Sequence, residues 1–271
     1  MENKFYYMLA PIENMTDSCF RTICRGADMT FTEKVSLQSL AKKNPFTMNK
    51  IKLFDDVPCM IQIIGQREPL LEKFLKDFRP KNGFRGFNLN LGCPDPEVVK
   101  AGLGCAMIRR VSKVKRIIDR IKSYGYGANI KMRLGLNQFE KDKKVYLNLI
   151  ENVDADFFVV HARHGKETYT DKADWSIFSE CVKIGKNVIA NGDIETKDDI
   201  EKLKICRGVM IGRAAVENPL IFAQLKGIEV SSRDQVKTEY EELLKQRNAH
   251  PKYAKHIFKH IGEGFIENDE I

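Results

Sequence analysis

The chain has 271 residues, 43% hydrophobic and 30% charged, with a formal net charge of +8 at pH 7. That length is long for one ordinary domain and typical of one α/β barrel, and no apolar run or signal-peptide core points to a membrane or an export route, so a cytoplasmic protein with no membrane partner is expected. The basic excess suits an anionic partner, nucleic acid or a phosphorylated cofactor, about as well as it suits a solvated lysine-rich surface.

Eight short apolar runs read as strands, in chain order: Phe5–Ala10, Met29–Lys34, Cys59–Ile64, Phe87–Gly92, Asn129–Gly135, Asp156–Ala162, Asn187–Ile194 and Gly208–Arg213. Amphipathic helices fall between most of them. Glu68–Phe78, Lys141–Val153 and Thr196–Cys206 carry helical patterns, and Val114, Ile117, Ile118 and Ile121 recur at helical spacing after Ser112, a good N-cap residue. Regular alternation of strand and helix implies parallel strands with crossover helices. Eight units in about 210 residues suggest a closed (β/α)8 TIM barrel. The first unit has no GxGxxG, which an open dinucleotide-binding sheet would favour. Ala214–Leu225 reads as the last barrel helix. From about Ser231 the chain turns charged and helical, broken at His250-Pro251, which reads as a two-helix appendage. The expected division is a catalytic barrel over residues 1–229 and a short helical appendage over 230–271.

Barrel active sites lie at the C-terminal ends of the strands. Polar residues cluster there: Glu33, Gln62, Asn90, Lys131, Arg133, His161, Arg163, Asn191, Asp193 and Arg213. Any one of them is more often structural than functional; all of them together point to a site. They fit flavin mononucleotide. The phosphate would sit at the loops after strands seven and eight, Asn191–Ile194 and Gly212–Ala215, where Gly192 and Gly212 let backbone N–H groups approach and Arg213 adds donors. A flavin ring needs a cation or donor near its N1/O2 edge, and Lys131 is the candidate. Gln62 and the turn Ala10–Glu13 can meet other polar ring positions.

Cys93 sits in "NLGCP", at the tip of a strand, behind Asn90 and ahead of a glycine-rich loop. It could be a nucleophile, a metal ligand or a proton donor. The seven cysteines are scattered, odd in number and without a CxxC pair, which speaks against disulfides and against metal. A proton donor needs only a reachable carbon, a suitable thiol and a mobile loop, which Gly102 and Gly104 would provide.

The chain resembles the tRNA-dihydrouridine synthase family over residues 5 to about 225. The resemblance rests on "LAPIENMTDSCFR", "TEKVS", "QIIG", "NLNLGCPDPEVVKAGLGCAM", "KMRLG", "HARH", "ADW", "NGDI" and "GRAAVENP", in the family's order. It implies a barrel that binds FMN, is reduced by NADPH (or NADH), and passes hydride to C6 of a tRNA uridine. It makes Cys93 the proton donor to C5. Pro11, Ile12, Glu13, Gln62, Lys131 and His161 would face the flavin or the substrate side. Asn191, Gly192, Asp193, Gly212 and Arg213 would form the phosphate end. Asn90, Arg133 and Arg163 would border the target base. Lys252, Lys255 and Lys259 of the last helix would meet tRNA, with Tyr253, Ile257 and Ile261 on the opposite face. A monomer without metal is expected. The chain departs from the family at His164, Lys166 and Glu217, and its C-terminal helical region is shorter than usual. The competing readings are an FMN barrel of the dihydroorotate or dihydropyrimidine dehydrogenase kind acting on a free base, and a non-catalytic RNA-binding barrel.

Overall fold

The computed structural model describes residues 4–230 and 232–261. Ser231 and residues 262–271 of the expected appendage lie outside the described residues. Among the described residues nine strands form one parallel sheet: β1 (Tyr6–Leu9), β2 (Thr30–Phe31), β3 (Val35–Ser36), β4 (Cys59–Ile64), β5 (Phe84–Leu91), β6 (Ala128–Met132), β7 (Phe158–His161), β8 (Val188–Asn191) and β9 (Gly208–Ile211). The order is β1-β9-β8-β7-β6-β5-β4-β2, with β3 also on β4, and a bridge between Met8 and Met29 joins the two ends. All eight expected strands are present, and the TIM barrel is as expected. The run Met29–Lys34 is shorter than read: the Thr32 N–H still donates to the Met60 carbonyl at 2.9 Å, but the Gln62 N–H goes to the Thr32 Oγ1 at 3.0 Å and not to a backbone carbonyl. The pairing with β4 resumes only at β3.

Alternation along the strands builds two cores. Ile61, Ile63, Phe87, Leu89, Leu91, Ile130, Met132, Phe158, Val160, Val209 and Ile211 face the helices and belong to the large outer core. Met8, Ala10, Phe31, Met60, Val159, Ile189 and Met210 pack together inside the barrel. Above this apolar floor the inward positions turn polar. Gln62 donates to Asn88 at 2.7 Å and accepts from Asn90 at 3.0 Å, and Asn88 bonds on to Asn129. The floor excludes water below the site, and the paired amides carry no unsatisfied cost above it.

The helices follow their apolar faces. Val111–Ser123 buries Val114, Ile117, Ile118 and Ile121, each contributing about 1.5–3 kcal/mol. Its cap is Arg110, without a side-chain cap bond, so Ser112 is not the N-cap that its residue type suggests. Two expected helices are broken. Lys141–Val153 divides at Lys144, which takes φ 52°, into Gln138–Asp142 and Val145–Asn152. Ala214–Leu225 divides at Asn218-Pro219 into Arg213–Glu217 and Ile221–Leu225, since proline lacks the N–H and restricts the residue before it. The C-terminal helices Arg233–Gln246 and Pro251–His260 form as expected. Val236, Tyr240, Ile257 and Ile261 join the outer core, so the two helices pack onto the barrel continuously. Among the described residues no helix is long and apolar enough to cross a membrane.

Candidate active site

Cys93 follows β5, and Asn90 holds it there. The Asn90 Oδ1 accepts from the Gly92 N–H at 3.1 Å and the Cys93 N–H at 3.0 Å, while its Nδ2 donates to Gln62. Asn90 therefore fixes the backbone that carries the thiol, and it lines the same cavity as Cys93. The following loop packs against it. Gly104, at φ 56°, lies so close to Cys93 that a Cβ there would stand 2.3 Å from the Cys93 carbonyl oxygen. The Cys105 N–H donates to that same oxygen at 3.1 Å. The glycine allows this close packing against Cys93. Cys93 is the only one of the seven cysteines that is not buried.

Two adjoining cavities cross the mouth of the barrel. One, of about 670 Å³, is lined by Cys93, Asn90, Gln62, Lys34, Glu13 and Arg133 among others. The second, of about 620 Å³, is lined by the loops after β8 and β9, including Asn191, Gly192, Asp193, Gly212 and Arg213. Pro11, Ile12, Lys131, His161 and Tyr169 border both.

Lys131 is the cation at the join. It has no hydrogen-bond or ion-pair partner among the described residues. Burial first, and then the Arg133 guanidinium, push its ammonium down to about 7. His161 stands beside it, one strand on. Arg163 Nη1 donates to His161 Nε2 at 3.1 Å, so that nitrogen carries no proton. Burial and then the cations Lys131, Arg133, Arg163 and Arg213 hold the ring well below the usual histidine value, and it stays neutral.

At the other end, Gly192 has φ 114°, and a Cβ there would press on the His161 ring at 3.0 Å. Its carbonyl accepts from the Trp175 indole at 2.9 Å, which ties the loop to the "ADW" turn. Gly212 is different: a Cβ would meet nothing closer than 3.4 Å, so there is room beside it. Asn191 Nδ2 donates to the Met210 carbonyl at 2.8 Å.

Several expected site residues make contacts within the protein. Arg163 is 1% exposed. Its guanidinium grips the Asp193 carboxylate at 2.7 and 2.8 Å and the carbonyls of Asp171 and Tyr169. Asp193 also accepts from Arg213 at 2.9 Å and from the Ala173 N–H at 2.8 Å. It is an anchor for two arginines, and its negative charge suits no direct phosphate contact. Arg133 is buried and donates to the carbonyls of His164 and Glu167 at 2.8 and 3.0 Å, supporting the loop after β7. Gln62 is buried with its amide engaged on both sides. Lys252 turns back to the barrel, where its Nζ donates to Asn14 at 2.9 Å and lies over the Phe46 and Tyr253 rings. It does not share an exposed face with Lys255 and Lys259, which are exposed.

Two residues escape a reading of the sequence. Tyr169, in the loop after β7, stacks on His161 at 6.3 Å and lies 4.5 Å under the Arg213 guanidinium. Lys34, just past β2, pairs with Glu13 in the Cys93 cavity. Tyr169 has no local pattern that marks it, and Lys34 lies within "TEKVS", which does not show that its side chain reaches the site.

The profile of the dihydrouridine synthase family matches residues 8–265, which includes the C-terminal helices. A probable tRNA-dihydrouridine synthase of Aquifex aeolicus is 31% identical over 256 residues, covering 87% of this chain and 78% of that protein. One from Helicobacter pylori is 32% identical over 237 residues, covering 83% and 71%. Among solved structures, a morphinone reductase mutant in complex with tetrahydroNAD superposes with TM-score 0.53 at 8% identity, over 87% of this chain and 90% of that one, a likeness of fold. With "NLNLGCP" delivering Cys93 to the barrel mouth and the match running almost from end to end, the chain belongs to the dihydrouridine synthase family.

Proposed function

We propose that the protein reduces the C5=C6 bond of a uridine in tRNA to 5,6-dihydrouridine, with a bound flavin mononucleotide and with Cys93 as proton donor. One observation carries the reading: an unpaired, half-buried lysine, Lys131, and a thiol fixed by Asn90 border the same cavity. An unpartnered ammonium whose charge burial opposes calls for an anionic or electron-rich partner, and a reduced flavin ring carries negative charge at N1/O2.

The residues present suit that cofactor. Gly192, Gly212 and Arg213 would take the phosphate, with Asp193 holding Arg213 in place. Pro11, Ile12 and His161 would flank the ring, and Lys131 would meet its N1/O2 edge. When bound, a flavin reduced by NADPH or NADH supplies the hydride for C6. The chain's own part is then to hold the base, exclude water beneath it with the apolar floor, and deliver a proton to C5. Neutral His161 offers a donor or acceptor near the ring without adding charge. Cys93 is placed on the side of the cavity away from the phosphate loops, where the base would lie.

The base has to leave its stack in folded tRNA, which costs a few kcal/mol. We assign residues 1–229 to catalysis and the helices after 230 to RNA contact, with Lys255 and Lys259 supplying phosphate contacts that offset that cost.

The test is direct. The purified protein should be yellow and release FMN on denaturation. Gly212→Phe, which fills the open space beside the glycine, should lower flavin content at least several-fold while melting stays close to wild type. Incubation with NADPH and an unmodified tRNA transcript should yield dihydrouridine by mass mapping, and free uracil or orotate should not be turned over. Turnover of the free base but not of tRNA would favour the dehydrogenase reading.

A further inference from the structure

Glu33 is a buried carboxylate at the barrel mouth to which the proposed reaction gives no part. It lies just past β2 and is 1% exposed. Its two oxygens serve two other elements. Oε1 accepts from the Asn14 N–H at 2.7 Å, in the turn after β1. Oε2 accepts from the Tyr253 hydroxyl, on the last helix, Pro251–His260. The Lys50 ammonium stands 3.3 Å from Oε1 and supplies the countercharge. A buried acid is costly unless partners of this kind satisfy it, and here every partner is drawn from a different element.

The turn that Glu33 reaches is held by its own residues at one end only. The Ile12 N–H donates to the Thr16 Oγ1 at 2.9 Å, and the Thr16 hydroxyl donates back to the Ile12 carbonyl at 3.0 Å. At the other end Asn14 takes φ 61°, a left-handed conformation that a residue other than glycine keeps only where its surroundings fix it. The surroundings that do so come from the last helix. The Asn14 Oδ1 accepts from the Lys252 Nζ at 2.9 Å, and the Asn14 N–H is held by the carboxylate that Tyr253 holds. Two successive residues of one helix thus reach Asn14, one directly and one through Glu33. Glu13, next to Asn14, lines the Cys93 cavity, and Pro11 and Ile12 line both cavities.

We propose that Glu33 and Tyr253 are positioning residues for the turn after β1, so that the last helix holds Pro11–Glu13 against the cofactor site as well as facing RNA. The proposal rests on that turn bordering the flavin. The helix takes no part in proton or hydride transfer; it acts on the site through the backbone of Asn14. Its role therefore extends past the division between a catalytic barrel and an RNA-binding appendage.

Hydrogen exchange and flavin release test this on the purified protein. Tyr253→Phe keeps the ring and deletes only the hydroxyl. Exchange over residues 10–16, followed by mass spectrometry, should quicken about three- to tenfold, while Val188–Asn191 of β8 exchanges as in wild type. FMN, followed by its fluorescence after dilution, should leave about three- to tenfold faster as well. Adding Lys252→Met to Tyr253→Phe should increase both effects. Glu33→Gln keeps an oxygen for the Asn14 N–H and should fall between wild type and Glu33→Ala, a rescue that a side chain serving only to fill space would not show. If Glu33→Ala fails to fold, Tyr253→Phe and its pair with Lys252→Met decide. A folded Tyr253→Phe whose exchange over residues 10–16 superimposes on wild type overturns the proposal, and so does faster exchange with unchanged flavin release. A wild-type protein that holds no FMN overturns the flavin reading instead, and exchange over residues 10–16 then decides by itself whether the helix holds the turn.

Discussion

Asn90 and Lys131 have opposite relations to their surroundings, and each makes its own prediction. Asn90 satisfies two backbone N–H groups at the Cys93 turn. Asn90→Ala leaves them without that acceptor, so stability should fall by about 1–3 kcal/mol. Dihydrouridine formation should fall further than flavin content does, because the thiol loses its fixed position; melting, flavin release and product mapping separate the two. Lys131 is instead unpaired, with its folded-state value lowered to about 7 from 10.5. Between those two pH values the unfolded chain binds the extra proton, so this group makes the flavin-free protein more stable as pH rises through that window. Lys131→Met removes the effect. Below about pH 7 the variant should be more stable than wild type, on the order of 5 kcal/mol, and the gap should close by pH 10.5. Urea unfolding of flavin-free protein across this range checks it. A constant gap would mean that Lys131 keeps an ordinary lysine value.

The strands were legible in the sequence because their inward and outward positions alternate. Lys131 and His161 fall on inward positions at strand ends, and Cys93 lies two residues beyond β5, so their arrival at one cavity follows from the pattern. The pairing of Arg163 with Asp193 is not legible that way. It joins residues 30 positions apart on different loops, and only the folded chain shows that the arginine is used up there. Tyr169 and Lys34 were missed for the same reason. The breaks at Lys144 and Asn218-Pro219 cost the helix readings their length, the second with a visible proline. The last helix was half legible. Its apolar face docks as expected, and the Tyr253 hydroxyl donates to buried Glu33, but the same docking draws Lys252 onto Asn14. Charge reversal should therefore be limited to Lys255→Glu and Lys259→Glu. The pair should weaken tRNA binding several-fold at low salt and less at high salt, because lost phosphate contacts flatten the salt dependence. NADPH oxidation without tRNA should not change. Unaltered tRNA binding at every salt concentration would remove this helix from the RNA surface.

Across the whole molecule, a dry floor, a polar ladder and an open mouth lie one above another. Met8, Phe31, Met60, Val159, Ile189 and Met210 close the barrel from below. Gln62, Asn88, Asn90 and Asn129 carry hydrogen bonds from wall to wall and end at the Cys93 turn. The two cavities above share Lys131 and His161, the loops after β8 and β9 lining one and Cys93 the other. That separation predicts that flavin binding and proton donation can be lost independently. The measurement that bears most directly on this is a paired assay of Cys93→Ala. Flavin reduction by NADPH is followed by absorbance, and dihydrouridine in an unmodified tRNA transcript by mass mapping. The variant should bind FMN and be reduced at the wild-type rate, while dihydrouridine formation falls about 10²–10⁴-fold, and Cys105→Ala should lose little in either assay. Near-normal dihydrouridine formation by Cys93→Ala between pH 6 and 9 would contradict the account.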